Sequence, residues 1–393
     1  MLVQRAYKTE LKLNNRERTL LAGCAGAARF AYNWGLRQKI DAYAATGKSP
    51  SYYELHRQLN QLKKSELAWL YGYSKTIPQE ALRDLDRAFQ NFFRRVKQGE
   101  TPGFPRFKSR KRGIGSFRLW GSIQVEARRI KLPRLGWLRL HEAGYLPSAG
   151  VKILSATVSE RAGRWYLSLQ VEEQIPERQA TGEPIGVDLG LHALAVCSDG
   201  QTYANPHALD RAARRLARCQ RELSRRQPGS RNRTRTRAKL ARLHQRVAHL
   251  RQNAIHQATA SIVAKTKPDD KRPSVVMLEE LNVVGMMQNH KLARAIGDAG
   301  LGEFSRQMRY KSAWYGITVQ RADRWYPSSK RCSGCGEVKA SLLLSERVYR
   351  CETCGLVMDR DLNAARNLVQ LSEQTTARSA GSEACGEAAL AAR

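Results

Sequence analysis

Along the first hundred residues the apolar positions change period once. The opening "MLVQRAYKTELKL" alternates loosely and predicts a strand. After "NNRE" the spacing becomes helical through "RTLLAGCAGAARFAYNWGLRQKIDAYAATG", with Gly47 at the stop. A second helix is predicted over "SYYELHRQLNQLKK". A third runs through "PQEALRDLDRAFQNFFRRVKQG", with Ala81, Leu82, Leu85, Ala88, Phe89, Phe92 and Val96 on one face and Gly99 placed to end it. Residues 100–116, "ETPGFPRFKSRKRGIGS", read as a basic loop. The period then falls to two in "SFRLWGSIQV", "RRIKLPRLGWLRLH", "VKILSATVSE" and "RWYLSLQVEE", with Gly163 in a hairpin turn. Together with the first strand these predict a small β-barrel into which the helical bundle is inserted.

Beyond a linker, "QIPERQATGEP", the pattern becomes α/β. "IGVDLGLHALAVCSDGQTYA" predicts successive strands of a hairpin-rich sheet, and 208–266 is helical with a break at "RQPGSRNRT". "SVVMLEEL" is a buried strand, "GEFSRQMRYKSAWYG" a helix and "ITVQRA" another strand. A cysteine segment at 332–354 precedes a last helix beginning in "MDRDLNAARN", and 372–393 has the small, polar composition of a tail.

Charge changes the picture. The 393 residues hold 68 Lys and Arg against 35 Asp and Glu, a formal net charge of +33. The ordinary apolar fraction, 42%, argues against general disorder, so the excess points to a polyanionic partner. It is concentrated in 211–251, where fifteen Arg and Lys accompany one acid, Glu222. A solvated helix face would mix signs, so this hairpin, with Arg214, Arg225 and Arg235 as representatives, reads as a nucleic-acid contact. The loop "FPRFKSRKRG" is a second candidate, with Arg106, Lys108 and Arg110 beside Phe104 and Phe107, whose rings can stack on bases. No run of 18 apolar residues predicts a membrane span, and the start lacks a signal-peptide core. A cytoplasmic protein is expected, in which eight cysteines are thiols or metal ligands before they are disulfides.

Two kinds of candidate chemistry remain. Cys332 and Cys335, then Cys351 and Cys354, form paired C-x2-C knuckles, each followed by glycine (Gly336, Gly355). That spacing and ligand set predict a closed, structural Zn²⁺ site. Asp188 and Glu279 end apolar strands, where a carboxylate needs a partner, and Asp361 begins the last helix. Three acids from distant segments could converge on Mg²⁺ or Mn²⁺, which activate water in phosphodiester cleavage. Asp359 fits a helix N-cap, and Asp361 fits an acid complementing the helix dipole as well as it fits a ligand.

"IGVDLG", "LEELNVVGM", "YPSSKRCSGCG", "YRCETCG" and "DRDLNAARN", in this order, resemble the transposon-encoded TnpB proteins, RNA-guided DNA nucleases related to type V CRISPR effectors. The resemblance implies a multidomain α+β chain with a RuvC-like RNase H fold whose catalytic acids are Asp188, Glu279 and Asp361; Glu280 is a second choice. It implies a wedge β-barrel (1–13 and 101–176) around a recognition bundle (14–100) and a nuclease domain at 177–328 with its basic hairpin. A zinc ribbon at 329–356, a final helix at 357–371 and a tail at 372–393 complete it. Implied partners are a guide RNA from the element end and target DNA, with a monomer favoured and nucleoid association when bound. The motif beside the target would be read by residues such as Tyr53, Lys75 and Gln79; an amide can contact adenine, although Gln79 also fits a helix start after Pro78. Rival readings are a nuclease-inactive RNA-guided regulator, a transposase or its accessory protein, and a plain RNA-binding protein.

Overall fold

The structure is a computed structural model that describes residues 1–263, 267–343 and 345–372, leaving aside the side chain of Arg112. Of the expected tail, 372–393, Ser372 instead lies in the last helix and is buried; the rest, with Cys385, lies outside the described residues. The chain divides into two units, Met1–Ile175 and Pro176 onward.

In the first unit, β1 (Leu2–Lys12) leads into α1 (Asn15–Thr46), α2 (Tyr52–Leu62) and α3 (Thr76–Lys97). Asn14 and Glu17, then Ser51 and Glu54, form reciprocal capping boxes that satisfy the free N–H groups starting α1 and α2. Gly47, at φ 68°, closes α1 as expected. The strands are β2 (Ser116–Leu119), β3 (Gln124–Glu126), β4 (Arg129–Leu132), β5 (Gly136–Leu140), β6 (Val151–Arg161) and β7 (Arg164–Gln174). They form one seven-stranded sheet in the order β2-β6-β7-β1-β5-β4-β3. β1 spans both halves, pairing β7 from Leu2 to Glu10 and β5 at Leu11 and Lys12. Ala162 and Gly163, both at positive φ, make the two-residue turn between β6 and β7. The helices are inserted between β1 and β2, and one apolar core joins Leu36, Leu59 and Leu85 to Ile130, Val158 and Leu167. Among the described residues no ladder joins β2 to β3, so hydrogen bonding leaves the expected barrel open along that seam.

The predicted α3 face is buried only through Leu85; Phe89 and Phe92 are half-buried and Val96 is exposed. Phe89 packs against the edge of the core, and Phe89 and Phe92 both receive Phe104 of the basic loop edge-on, each with ring centroids 5.5 Å apart. Asn33 of α1 pins the same loop, its amide bonding both the carbonyl (2.9 Å) and the N–H (2.8 Å) of Lys108.

The second unit carries a five-stranded sheet, β10-β9-β8-β11-β12. β8 (Ile185–Asp188), β9 (Ala193–Cys197) and β10 (Thr202–Ala204) form the expected antiparallel run; β11 (Val275–Glu279) and β12 (Thr318–Ala322) add in parallel. Between them lie α4 (Ala208–Arg225), α5 (Arg231–Ile262), α6 (Val283–Met286), α7 (Ala293–Ala299) and α8 (Leu301–Trp314). Val187, Leu194, Val276 and Leu278 of the sheet pack with Ile255, Phe304 and Met308 of the helices. α4 and α5 form the predicted basic hairpin around a small core that includes Leu216 and Val247. Buried Asp298 anchors it, accepting from the Leu209 N–H and from Arg251, each at 2.8 Å. Two short strands, β13 (Val348–Arg350) and β14 (Val357–Asp359), precede the last helix, α9, at 360–372.

Candidate functional site

The parallel register sets two of the three acids side by side. Met277 pairs Gly186 and Leu278 pairs Val187, so Asp188 and Glu279 each come next, at the carboxyl ends of neighbouring strands. Those ends are where open α/β sheets place ligands. The third acid arrives on α9, which lies against β8 at Gly186. A Cβ on that glycine would stand 2.0 Å from the Ala365 carbonyl oxygen and 3.0 Å from Leu368 Cβ. Asp361 is one turn before Ala365, so this contact brings the start of α9 to the end of β8.

Electrostatics register the convergence. Burial pushes the Asp188 carboxyl well above the ordinary range, and the charges of Glu279 and Asp361 push it further. Burial likewise raises Glu279, with Asp361 adding to the rise and a hydrogen bond from the Ser328 hydroxyl opposing it. Asp361 is flanked by Arg360 (3.3 Å) and Arg347 (3.8 Å). Neighbouring Glu280 instead lies exposed against Arg321 at 3.4 Å. The two aspartates of "DRD" divide their work: the Asp359 carboxylate accepts the N–H groups of Asp361 (2.9 Å) and Leu362 (3.0 Å), capping α9. Three carboxylates without thiolate or imidazole suit a hard divalent cation, which would offset both the burial that chiefly raises Asp188 and Glu279 and the repulsion that adds to it. Among the described residues, only the four cysteines bring three or more ligand atoms within 4.8 Å of one another; the acids converge more loosely.

Those cysteines sit as the sequence predicts. The Cys332–Cys354 and Cys335–Cys351 sulfurs are each 3.6 Å apart, far beyond a disulfide bond. Tetrahedral Zn²⁺ with Zn–S near 2.3 Å would set sulfurs about 3.8 Å apart, so the cluster fits that ion. The Cys354 backbone N–H, outweighing burial, pulls the Cys351 thiol down to about 6. At Cys335 the Glu337 backbone N–H is outweighed by burial and the neighbouring thiols, which push the thiol up to about 12, so in the absence of a cation the thiols compete for charge. Buried Cys24, Cys197 and Cys219 lie outside the cluster.

The family resemblance implies a cysteine ribbon that holds "DRDLNAARN" in position; the residues that make the link were not singled out from the sequence. Asn363 and Asn367, both fully buried, stitch α9 to the first knuckle. Asn363 accepts from the Ser333 N–H (2.9 Å) and donates to the Arg331 carbonyl (2.7 Å); Asn367 donates to the carbonyls of Ser328 (2.8 Å) and Arg331 (2.6 Å). The available signal was two amides one turn apart among small residues in "NAARN", on a face that a polar backbone could approach.

The nucleic-acid candidates are divided between the two units. Arg214, Arg225 and Arg235 are exposed on the α4–α5 hairpin. The hairpin's bend is closed by Arg233, which donates to the carbonyls of Leu223 (3.0 Å) and Arg226 (2.7 Å). In the first unit, Arg106, Lys108 and Arg110 are exposed in the basic loop, but Phe107 already lies beneath the Arg37 guanidinium, 5.2 Å from its ring centroid. Tyr53 and Lys75 are exposed, and Gln79 is partly buried on α3. Among the described residues no helix is long and apolar enough to cross a membrane.

Three family models match the chain: "Helix-turn-helix domain" over 1–48, "Probable transposase" (OrfB_IS605) over 156–290 and "Cas12f1-like, TNB domain" over 302–368. The first covers a strand and one unbroken helix here. A Streptomyces pristinaespiralis protein named "Putative RNA-guided DNA endonuclease" is 36% identical, covering 93% of this chain and 89% of its own. InsQ of Escherichia coli K12, which carries the same description, is 30% identical over 97% of this chain and 94% of its own. The solved mini-RNA-guided endonuclease CRISPR-Cas_phi3 covers 93% of this chain and 92% of its own at 8% identity, with a TM-score of 0.48. On its near full-length relatives, and with the site motifs standing in the expected order, the chain belongs to the OrfB, or TnpB, family.

Proposed function

We propose that this protein is an RNA-guided DNA endonuclease encoded by a transposable element, cutting target DNA beside a short adjacent motif. The observation that carries this reading is the convergence of Asp188, Glu279 and Asp361 from three separate elements, with Asp188 and Glu279 held above the ordinary carboxylate range partly by the others' charges. A structural protein has no use for such mutual repulsion; a cation site does. Bound Mg²⁺ or Mn²⁺ would supply activation of water and stabilisation of the leaving oxygen. The three acids would hold it, while Asp359 fixes the helix end from which Asp361 projects. The cysteine cluster, with Zn²⁺, would keep the amide-stitched α9 in place. The exposed arginines of the α4–α5 hairpin suit the backbone of a guide–target duplex, and Tyr53, Lys75 and Gln79 are the candidates for reading the adjacent motif.

The test is Mg²⁺-dependent cleavage of a guide-matched duplex, with the guide identified by sequencing the RNA that copurifies. Asp188→Ala, Glu279→Ala and Asp361→Asn should each abolish most cleavage while leaving guide and target binding intact, and combining them should add little. Asp359→Asn should be mild because Asn caps nearly as well, and Glu280→Gln should retain activity. Guided binding without cleavage in the parent would make the protein a regulator instead. Cleavage unaffected by all three substitutions would end the reading.

A further inference from the structure

We propose that Ser328 is a positioning residue for the acidic site, fixing the Glu279 carboxylate and tying it to the helix that carries Asp361. The inference rests on the nuclease reading above and names a residue which that reading does not use.

Ser328 lies between β12 and the first cysteine knuckle and is only 4% exposed. Its hydroxyl donates to Glu279 Oε1, and among the described residues this is the one hydrogen bond that the Glu279 side chain receives. A carboxylate on a flexible stem turns about its last bond; one held oxygen stops that rotation and leaves Oε2 open to a cation. The same serine's carbonyl accepts the Asn367 amide at 2.8 Å, and the Tyr326 hydroxyl donates to the Asn367 carbonyl at 3.1 Å. Two hydrogen bonds therefore lead from Glu279 on β11, through Ser328, to Asn367 on α9. No covalent path shorter than 82 residues joins Glu279 to Asp361, so cross-links of this kind must set their separation. A serine that merely satisfied its own buried hydroxyl would be served by any carbonyl; this one is spent on a candidate ligand.

The experiment compares parent, Ser328→Ala, Ser328→Thr and Asp188→Ala, each loaded with guide RNA. Mn²⁺ binding is titrated by electron paramagnetic resonance, and cleavage is followed against Mg²⁺ concentration. Zinc content and thermal midpoint are recorded in parallel. Ser328→Ala should weaken Mn²⁺ binding by about 10–100-fold and raise the Mg²⁺ needed for half-maximal cleavage in step. Its rate at saturating Mg²⁺ should lie nearer the parent, with zinc and midpoint unchanged. Ser328→Thr, which keeps the hydroxyl, should restore the parent's Mg²⁺ requirement. Parent-like Mn²⁺ and Mg²⁺ dependence in Ser328→Ala overturns the proposal, as does equal loss of zinc and midpoint in both serine variants, which would make the role structural. If Asp188→Ala leaves Mn²⁺ binding unchanged, the nuclease reading itself fails and takes the proposal with it.

Discussion

Replacing Gly186 by alanine adds one methyl group at the point where α9 crosses β8. That carbon would stand 2.0 Å from the Ala365 carbonyl oxygen, and real Cβ atoms essentially never approach closer than 3.0 Å. Ala365 supplies backbone here, so no rotamer change relieves the clash. The helix must move by about 1 Å at least, and a rigid shift of α9 carries Asp361 with it. A misplacement of about 1 Å at a reacting centre can lower a rate about 10²-fold, while overpacking costs about 1–3 kcal/mol in stability. Gly186→Ala should therefore reduce guided, Mg²⁺-dependent cleavage by about two orders of magnitude and lower the thermal midpoint by a few degrees, with target binding retained. Gly297→Ala is the control, because a Cβ there meets nothing nearer than Met287 Cε at 3.6 Å. Cleavage and melting at parent levels in Gly186→Ala would refute the reasoning, since α9 would then be free to settle elsewhere without consequence.

Purified protein should carry about one zinc per chain, and Cys351→Ser should lose it; unchanged zinc by elemental analysis would contradict the four-thiolate assignment. Reversing Arg214, Arg225 and Arg235 to glutamate should lower target affinity and reduce the log–log salt slope by about three; filter binding across a salt series that gives the parent slope would make this face merely solvated. In metal-free protein, Asp188 and Glu279 titrate above their unfolded values, so the fold favours their protonated forms. Their stabilising contribution is complete below about pH 4 and is lost as pH climbs through the raised values. Thermal midpoints taken across pH should show Asp188→Asn losing less stability than the parent over that climb, and parallel curves would argue against the repulsion.

What the sequence revealed here was mostly local. The two-residue hairpin at Gly163, the break between α4 and α5 and the alternation of β6 and β7 follow from period and turn chemistry carried within a few residues. The cysteine cluster was legible because its ligands come in tight pairs whose spacing is itself the geometry. The α3 face was overextended: helical spacing continues to Val96, but whether a face is buried depends on what lies opposite, and beyond Leu85 no residue of α3 is buried. That the sheet stays open between β2 and β3 among the described residues was illegible too, since alternation says which face a side chain takes and not which edges pair. Asn363, Asn367 and Ser328 look like ordinary polar residues until the backbone they bond is brought to them. Gly186 reads as a strand glycine and gains meaning only from Ala365.

The three acids stand at positions 188, 279 and 361, and that order has a bearing on synthesis. Translation delivers a chain at about 5–20 residues per second, and domains fold as units behind the ribosome. The basic hairpin, finished at Ile262, is therefore available several seconds before the last acid is made. On the nuclease reading, until Asp361 and the cysteine knuckles have emerged, the nascent chain would hold nucleic acid but could not cut it. On that reading, a message broken between codons 262 and 361 would yield a binder and never a blade.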